Sequence, residues 1–400
     1  MSWILGISAD NPLSEPTISK LQSVHPHALH VVHAPGLYIA FGGIPETCIY
    51  GPPASRPGVD DSGWVVVGSG IRREEGGCTL VAVKEWNTIL SAPCPDLQGL
   101  DGHFAIVRWR RDGLDLYTDH LGLRSLFLFE FKGGLAFSTR PDWLARMHPH
   151  TEINFSSFGS QWLTFHRLSE EFILNGIEHL GAGVVATRAT GRLSIRRQAW
   201  HPASGPGETG GMMEVLGSFL NPVLGAGETL SLGLSGGLDS RVLLGSIIGR
   251  GSPNCSVHTF GPQADLDVRI AHRLAAGMKI PMLHYHDPLP DAETCIALSR
   301  DYAAQLSVTE PASSAMHMRY FPRLRCLGKI VIDGGFGELA RRQYFNRLRT
   351  LGSRAVRSAS PAKISSYLRV NRSDIFSPDV CRIMEAGLRR QIAQRWEEMA

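Results

Sequence analysis

None of the seven cysteines (Cys48, Cys78, Cys94, Cys255, Cys295, Cys326, Cys381) stands in a Cys-x-x-Cys pair, and their number is odd. That scatter argues against a disulfide framework and a zinc ribbon. Histidine is plentiful at 16 residues. The alternating pairs His284/His286 and His148/His150 nevertheless lack a third ligand close in sequence, so no histidine metal centre is expected. Nowhere do about 18 apolar residues run together. The N-terminus has no basic region leading into an apolar core. The chain is therefore expected to be cytoplasmic, with no membrane contact. Excess charge is also missing: 40 basic against 37 acidic residues leave a net +3. That balance gives no reason to invoke nucleic acid or an anionic membrane as partner. The arginine-rich stretch from Arg341 to Arg357 reads as a solvated helical face.

What is present is a division into two patterns. Four hundred residues suffice for two or three domains, each with its own core. The first half is β-rich. Short β-branched or aromatic runs occur at 37–41, 63–67, 104–109, 114–117 and 125–131, punctuated by Gly and Asp. Gly113 closes an expected hairpin. These pairs predict antiparallel sheets carrying one or two helices. Residues 203–211, rich in Gly, Pro, Ser, Glu and Thr, read as a linker. Beyond it, strand and helix alternate: strand 229–234, helix 239–249, strand 255–260, helix 267–276, strand 281–286, helix 292–306 and strand 329–332. That order predicts a doubly wound parallel sheet, which binds ligands at the carboxyl ends of its strands.

One such end carries Ser235-Gly236-Gly237-Leu238-Asp239-Ser240. Strand, glycine turn and helix in succession aim backbone N–H groups and a helix N-terminus at one spot, a geometry that holds polyphosphate. Gly236 and Gly237 admit close backbone approach. Ser235 and Ser240 offer hydroxyls. A carboxylate beside phosphates repels them unless a divalent cation intervenes, so Asp239 reads as a Mg²⁺ ligand. Arg241 would meet a phosphate or a surface carboxylate.

The loop resembles the Ser-Gly-Gly-x-Asp-Ser signature of the asparagine-synthetase-like ATP pyrophosphatases. Further segments are similar to the glutamine-hydrolysing asparagine synthetases. Leu100 to Ile106, Asp119 to Phe127, Leu135 to Arg140 and Trp162 to Gly183 resemble the N-terminal glutamine amidotransferase domain. Ala312 to Met316 and Asp333 to Leu339 resemble segments flanking the last strand of the synthetase domain. The likeness spans roughly 1–345 and is most specific at 232–241. It implies an α+β Ntn-hydrolase-like (class II glutamine amidotransferase) sandwich over 1–202, a linker at 203–211, and an α/β parallel-sheet ATP pyrophosphatase (adenine nucleotide α-hydrolase-like) domain over 212–400 with a shortened helical end.

The chain also departs from that family. The family's nucleophile is an N-terminal cysteine exposed when Met1 is removed; here position 2 is Ser2. A serine with its own α-amine as base is a poorer nucleophile than a thiolate. The His-Arg-Gly-Pro-Asp stretch has no counterpart, and Gly68-Ser69-Gly70 replaces the Asn-Gly-Glu segment. Asp101 matches a glutamine-amine contact and equally suits a turn cap. Glutamine hydrolysis is not expected. At the last strand the family's Gly-Glu-Gly-x-Asp-Glu becomes Asp333-Gly334-Gly335-Phe336-Gly337-Glu338. Gly337 replaces a metal-binding aspartate, Glu338 is retained, and Asp333 is placed to reach a cation. Only about 55 residues follow Phe345, short for the family's helical cap and its catalytic lysine.

The implied activity is AMP-forming, ATP-dependent amide ligation: a small-molecule or peptide carboxylate is adenylated and attacked by ammonia or an amine. An intramolecular cyclase for a β-lactam or lasso-type peptide, and a weak ATP-binding scaffold subunit, are the alternatives. The expected nucleotide contacts are Leu234, Ser235, Gly236, Gly237, Asp239, Ser240, Phe260, Asp333 and Gly334. Asp239 and Glu338 are the expected Mg²⁺ ligands and, with Ser2, the expected catalytic residues; Asp101 is the expected substrate contact. ATP and Mg²⁺ are the expected cofactors. A homodimer or a biosynthetic-cluster partner is left open.

Overall fold

The computed structural model describes residues 2–399 apart from 26–27, 52–61, 75–76, 112, 149–150, 165–166, 199–210, 226–228, 252–253, 306–318, 328 and 336–342. The chain forms two compact units, one of 1–71, 81–202 and 344–400, the other of 72–80 and 203–343.

The first unit is built on two antiparallel sheets. One has the order β11-β9-β10-β1-β3-β2, from β1 (Trp3–Ala9), β2 (His30–Ala34), β3 (Leu37–Gly42), β9 (Phe127–Phe131), β10 (Gly134–Ser138) and β11 (Glu178–His179). The other follows the order β13-β12-β8-β7-β5-β4, from β4 (Cys48–Gly51), β5 (Gly63–Glu74), β7 (Leu100–Arg110), β8 (Gly113–Thr118), β12 (Val184–Ala189) and β13 (Arg192–Arg197). The end of β5 and the following β6 (Gly77–Leu80) fall in the second unit. Their inner strands, such as β1, β5 and β7, are largely apolar on both faces because both faces are covered. In β5, Val65 and Val67 enter one core with Ile4, Ile39, Phe41 and Phe137 of the other sheet. The alternating Trp64 and Val66 pack outward with Trp86 and Leu90 of α2 (Val83–Ser91). The first sheet repeats the pattern. Leu5, Tyr38 and Phe129 face α1 (Glu15–Val24) and α3 (Pro141–Met147) through Leu21 and Leu144. The result is a four-layer helix–sheet–sheet–helix sandwich. Its central strand β1 pairs β10 and β3, both antiparallel.

The same unit holds a helical cluster: α4 (Phe155–Thr164), and towards the C-terminus α10 (Gln343–Thr350), α11 (Ser353–Arg357), α12 (Pro361–Leu368) and α13 (Pro378–Met399). Leu163 of α4 packs with Ile364, Leu368, Met384, Leu388 and Ile392. Residues from Tyr344 onward therefore group with the first unit, not with 212–343 as expected from sequence. The cause is the apolar face of α4, which these helices cover.

In the second unit the parallel sheet has the order β16-β15-β14-β17, from β14 (Thr229–Gly233), β15 (Cys255–Phe260), β16 (Met282–Tyr285) and β17 (Lys329–Ile332). The alternation of strand and helix agrees with the sequence reading. Leu220, Leu244, Ile247, Ala271 and Ala275 from α5 (Gly211–Gly225), α6 (Leu238–Gly249) and α7 (Leu266–Gly277) cover one face; Leu324 of α9 (Phe321–Cys326) joins Tyr285 and Phe260 on the other. Between them, α8 (Ala292–Gln305) precedes α9 in the chain. The chain runs outward from β14 to β16, then returns to β17 on the far side of β14. That reversal is a topological switch point, where doubly wound sheets open a crevice. Residues 72–80 belong here: Cys78 Sγ lies 3.4 Å from Ser218 Oγ, and Arg73 caps the Phe219 ring at 5.0 Å. The expected linker at 203–211 lies outside the described residues except Gly211, which opens α5.

Candidate functional site

The loop after β14 and the loop after β17 meet at the switch point. A Cβ on Gly334 would lie 3.1 Å from the Ser240 backbone nitrogen and 3.4 Å from the Asp239 Cβ. Asp239, in the first turn of α6, and Asp333, at the end of β17, are thus brought to one place. Asp333 is exposed and its Oδ1 accepts from the Gly335 N–H at 2.8 Å. A carboxylate on each of these two chain segments, beside a helix N-terminus, suits a hard divalent cation that also takes phosphate oxygens. Among the described residues no group of three His, Cys, Asp or Glu converges. The expected ligand Glu338 lies outside the described residues, as does Gly337.

The other loop residues divide into those that brace and those that face outward. Ser240 is buried, and its Oγ accepts from the Ser235 N–H at 3.2 Å and reaches Ser235 Oγ at 3.3 Å. It closes the turn from inside, a role the motif alone did not distinguish from ligand contact. Gly237 N–H donates to Ser235 Oγ at 3.1 Å, and Gly236 N–H donates to Asp267 Oδ1 at 3.0 Å. Sequence reasoning missed Asp267, which comes from the first turn of α7. A carboxylate on a loop N–H marks where an anion is favoured. Small size at Gly236 serves this contact, since a Cβ there would stand 2.7 Å from Asp267 Oδ1 and Ile270 Cδ1. Arg241 Nε donates to the Gly237 carbonyl at 3.2 Å.

Leu234 is buried in the core beneath the loop, and its N–H donates to the His258 carbonyl at 2.8 Å. Phe260, at the end of β15, stacks on Tyr320 and Tyr285 with centroids 5.3 and 5.8 Å apart. Arg319 and Arg323 flank the Tyr320 ring at 4.8 and 5.5 Å.

Ser2 immediately precedes β1 in the first unit and is buried. Its Oγ donates to the Ile44 carbonyl at 3.0 Å, lies 2.7 Å from Thr47 Oγ1, and accepts from the Ile44 N–H at 3.2 Å. The Arg124 guanidinium donates to the Ser2 carbonyl. Burial lowers the Arg124 pKa to about 10, against an opposing pull from Cys48. Burial likewise pushes the Cys48 thiol up to about 11, only partly offset by Arg124. That thiol is neutral at ordinary pH and no substitute nucleophile. Asp101 lies 3.4 Å from His120 Nε2. Gly68 and Gly102 take φ of +108° and +111°, so the Gly68-Ser69-Gly70 segment and the start of β7 pass backbone to backbone. Asp119 is the organiser that sequence reasoning left unassigned. Its carboxylate accepts from the N–H groups of Leu121, Leu123 and Arg124 at 3.1, 3.0 and 2.8 Å, fixing the turn that presents Arg124.

No protein family matches the chain, and no curated protein does. Among solved structures it is similar to the glutamine phosphoribosylpyrophosphate amidotransferase from B. subtilis complexed with ADP and GMP. The identity is 11% and the TM-score 0.32, over 70% of this chain and 65% of that one. A structure titled as the allosteric regulatory enzyme of purine biosynthesis is similar at 8% identity and TM-score 0.30, over 83% of this chain and 80% of that one. At these scores neither likeness bears on activity. Among the described residues, no helix is long and apolar enough to cross a membrane.

Proposed function

We propose that this protein is an ATP-dependent, AMP-forming carbon–nitrogen ligase of the asparagine synthetase type, with a class II amidotransferase-like first domain that no longer hydrolyses glutamine. The observation that carries this reading is the Ser-Gly-Gly-Leu-Asp-Ser loop lying at the switch point of a parallel sheet, against Asp333 and Gly334 of the returning strand. In the overall reaction a carboxylate, an amine and ATP give an amide, AMP and pyrophosphate.

The chain's own residues divide that task. Ser240 holds the turn closed, so the N–H groups at the start of α6 stay aimed at the crevice. An incoming phosphate competes with the Asp267 carboxylate for the Gly236 N–H. Gly334 leaves room beside the first turn of α6. Asp239 and Asp333 would hold Mg²⁺, which when bound neutralises charge developing on pyrophosphate oxygens. Phe260, at the end of the second strand, would contact the adenosine from its stack with Tyr320 and Tyr285. In the first unit the Ser2 hydroxyl is engaged by Ile44 and Thr47, which supports the absence of glutaminase activity.

Pyrophosphate–ATP exchange with Mg²⁺ across a panel of carboxylates tests the reading. Exchange with a free amino acid supports intermolecular ligation. Exchange only with a β-amino acid or a peptide supports cyclisation. Tight Mg·ATP binding without exchange for any acceptor would leave the scaffold role. Glutaminase activity abolished by Ser2→Ala would overturn the reading of the first domain.

A further inference from the structure

One N–H of the 235–240 loop is held by a carboxylate of the chain itself. Gly236 N–H donates to Asp267 Oδ1 at 3.0 Å. The two are closely packed: a Cβ on Gly236 would stand 2.7 Å from that oxygen and 3.6 Å from the Asp267 Cα. Ile270 Cδ1, one turn further along α7, would also lie 2.7 Å from it. The first turn of α7 therefore rests on the loop, and Asp267 is positioned by its own helix.

The turn keeps its shape without Asp267. Ser240 Oγ accepts from the Ser235 N–H, and Ser235 Oγ accepts from the Gly237 N–H. These bonds close the turn from within. Asp267 is instead exposed, and its side chain can swing away without disturbing the core. Arg241, on the first turn of α6, directs its Nε to the Gly237 carbonyl at 3.2 Å.

A carboxylate and a phosphate compete for one N–H. A phosphate that takes it must displace Asp267 and then face a nearby charge of its own sign. Asp239, three residues along the loop, adds to that repulsion. A Mg²⁺ ion travelling with the polyphosphate cancels much of it, because the ion neutralises charge on the phosphate oxygens. Metal-free anions therefore pay the full repulsion and Mg²⁺-bound ones only part of it.

We propose that Asp267 is a specificity-determining residue of the loop: by holding the Gly236 N–H it discriminates against metal-free phosphate anions and favours Mg²⁺-bound polyphosphate. This rests on the nucleotide reading of the loop and adds to it the residue that sets which charge state enters.

Calorimetric titration of the full chain with inorganic pyrophosphate and with ATP, each with Mg²⁺ and with EDTA, tests this. The wild type should bind Mg·ATP and should bind both metal-free anions more weakly. Asp267→Ala should bind the metal-free anions roughly 3- to 10-fold more tightly, the range for one competing hydrogen bond removed. Its gain for Mg·ATP should be smaller. Asp267→Asn keeps the shape and an acceptor but loses the charge, and should shift metal-free binding in the same direction. Damage to the loop would weaken every form, so a selective gain cannot come from misfolding. Metal-free binding unchanged or weaker in both variants, or an equal gain with and without Mg²⁺, would overturn the proposal while Mg·ATP binding left the nucleotide reading standing. No Mg·ATP binding by the wild type or either variant would overturn both.

Discussion

Asp239 and Gly334 are the two residues on which the crevice turns. Replacing Asp239 with Ala removes the carboxylate nearest the start of α6. Pyrophosphate exchange should fall by about 10²- to 10³-fold, the size of a lost electrostatic stabiliser of developing charge. Circular dichroism should be unchanged. Gly334→Val tests space, not charge. Its Cβ alone would approach the Ser240 nitrogen to 3.1 Å, so the KM for ATP should rise at least several-fold with little change in Tm. An unaltered KM would show that the two strand ends do not share one ligand. At this scale the sequence was informative about which residues gather, since Ser235 to Ser240 form one turn and Asp333 and Gly334 come to meet it. It was silent on who supports whom. Ser240 braces from within, and Asp267 arrives from another helix, because no local pattern records which side chain of a distant element meets a loop. Asp119 was hidden for a related reason: the N–H groups of Phe104, Leu121, Leu123 and Arg124 converge on it only after the turn has formed.

Among the elements, the contact of α4 with α13 is close and was the least legible. A Cβ on Gly159 would fall on the Met384 carbonyl, and one on Gly387 on the Ser156 carbonyl. The helices approach through these glycines, which in sequence look like ordinary helix-weakening residues. Gly159→Val should destabilise the first unit by about 1–3 kcal/mol through overpacking. Leu388→Ala should cost about 2–5 kcal/mol through the cavity it leaves. Denaturant midpoints measure both, and a neutral Gly159→Val would contradict the packing. The Glu170–His179 pair makes this region acid-sensitive. The folded pKa of Glu170 is held at about 2, below the roughly 4.3 of an unfolded chain. Its contribution is therefore present above about pH 4.3 and is lost as pH falls towards about 2. His179, also lowered, adds a loss beginning below its ordinary value of about 6.5. Unfolding midpoints of the wild type should fall between about pH 4.3 and 2, and Glu170→Gln should be flatter across that window; identical slopes would contradict the pairing.

Across the whole molecule, the strands were legible because β-branched and aromatic runs such as Trp64 to Val67 and Phe104 to Trp109 are buried on two faces. The alternation that makes a parallel sheet was equally plain from 229 to 332. What could not be read was the return of the chain after Gln343 to the first unit. Sequence proximity favoured the second unit, whereas the apolar face of α4, with Phe155, Phe158, Trp162 and Leu163, sets the partner. A chain ending at Gln343 should bind a hydrophobic dye and aggregate, while normal solubility would show that the C-terminal helices do not cover a core. The central claim concerns chemistry at the switch point. Its most direct test is pyrophosphate–ATP exchange by the full chain with Mg²⁺ and a panel of carboxylates, read beside Asp239→Ala. Exchange that depends on a carboxylate and disappears in that variant is the expected result. No exchange with any acceptor, or exchange that survives loss of Asp239, would contradict the account.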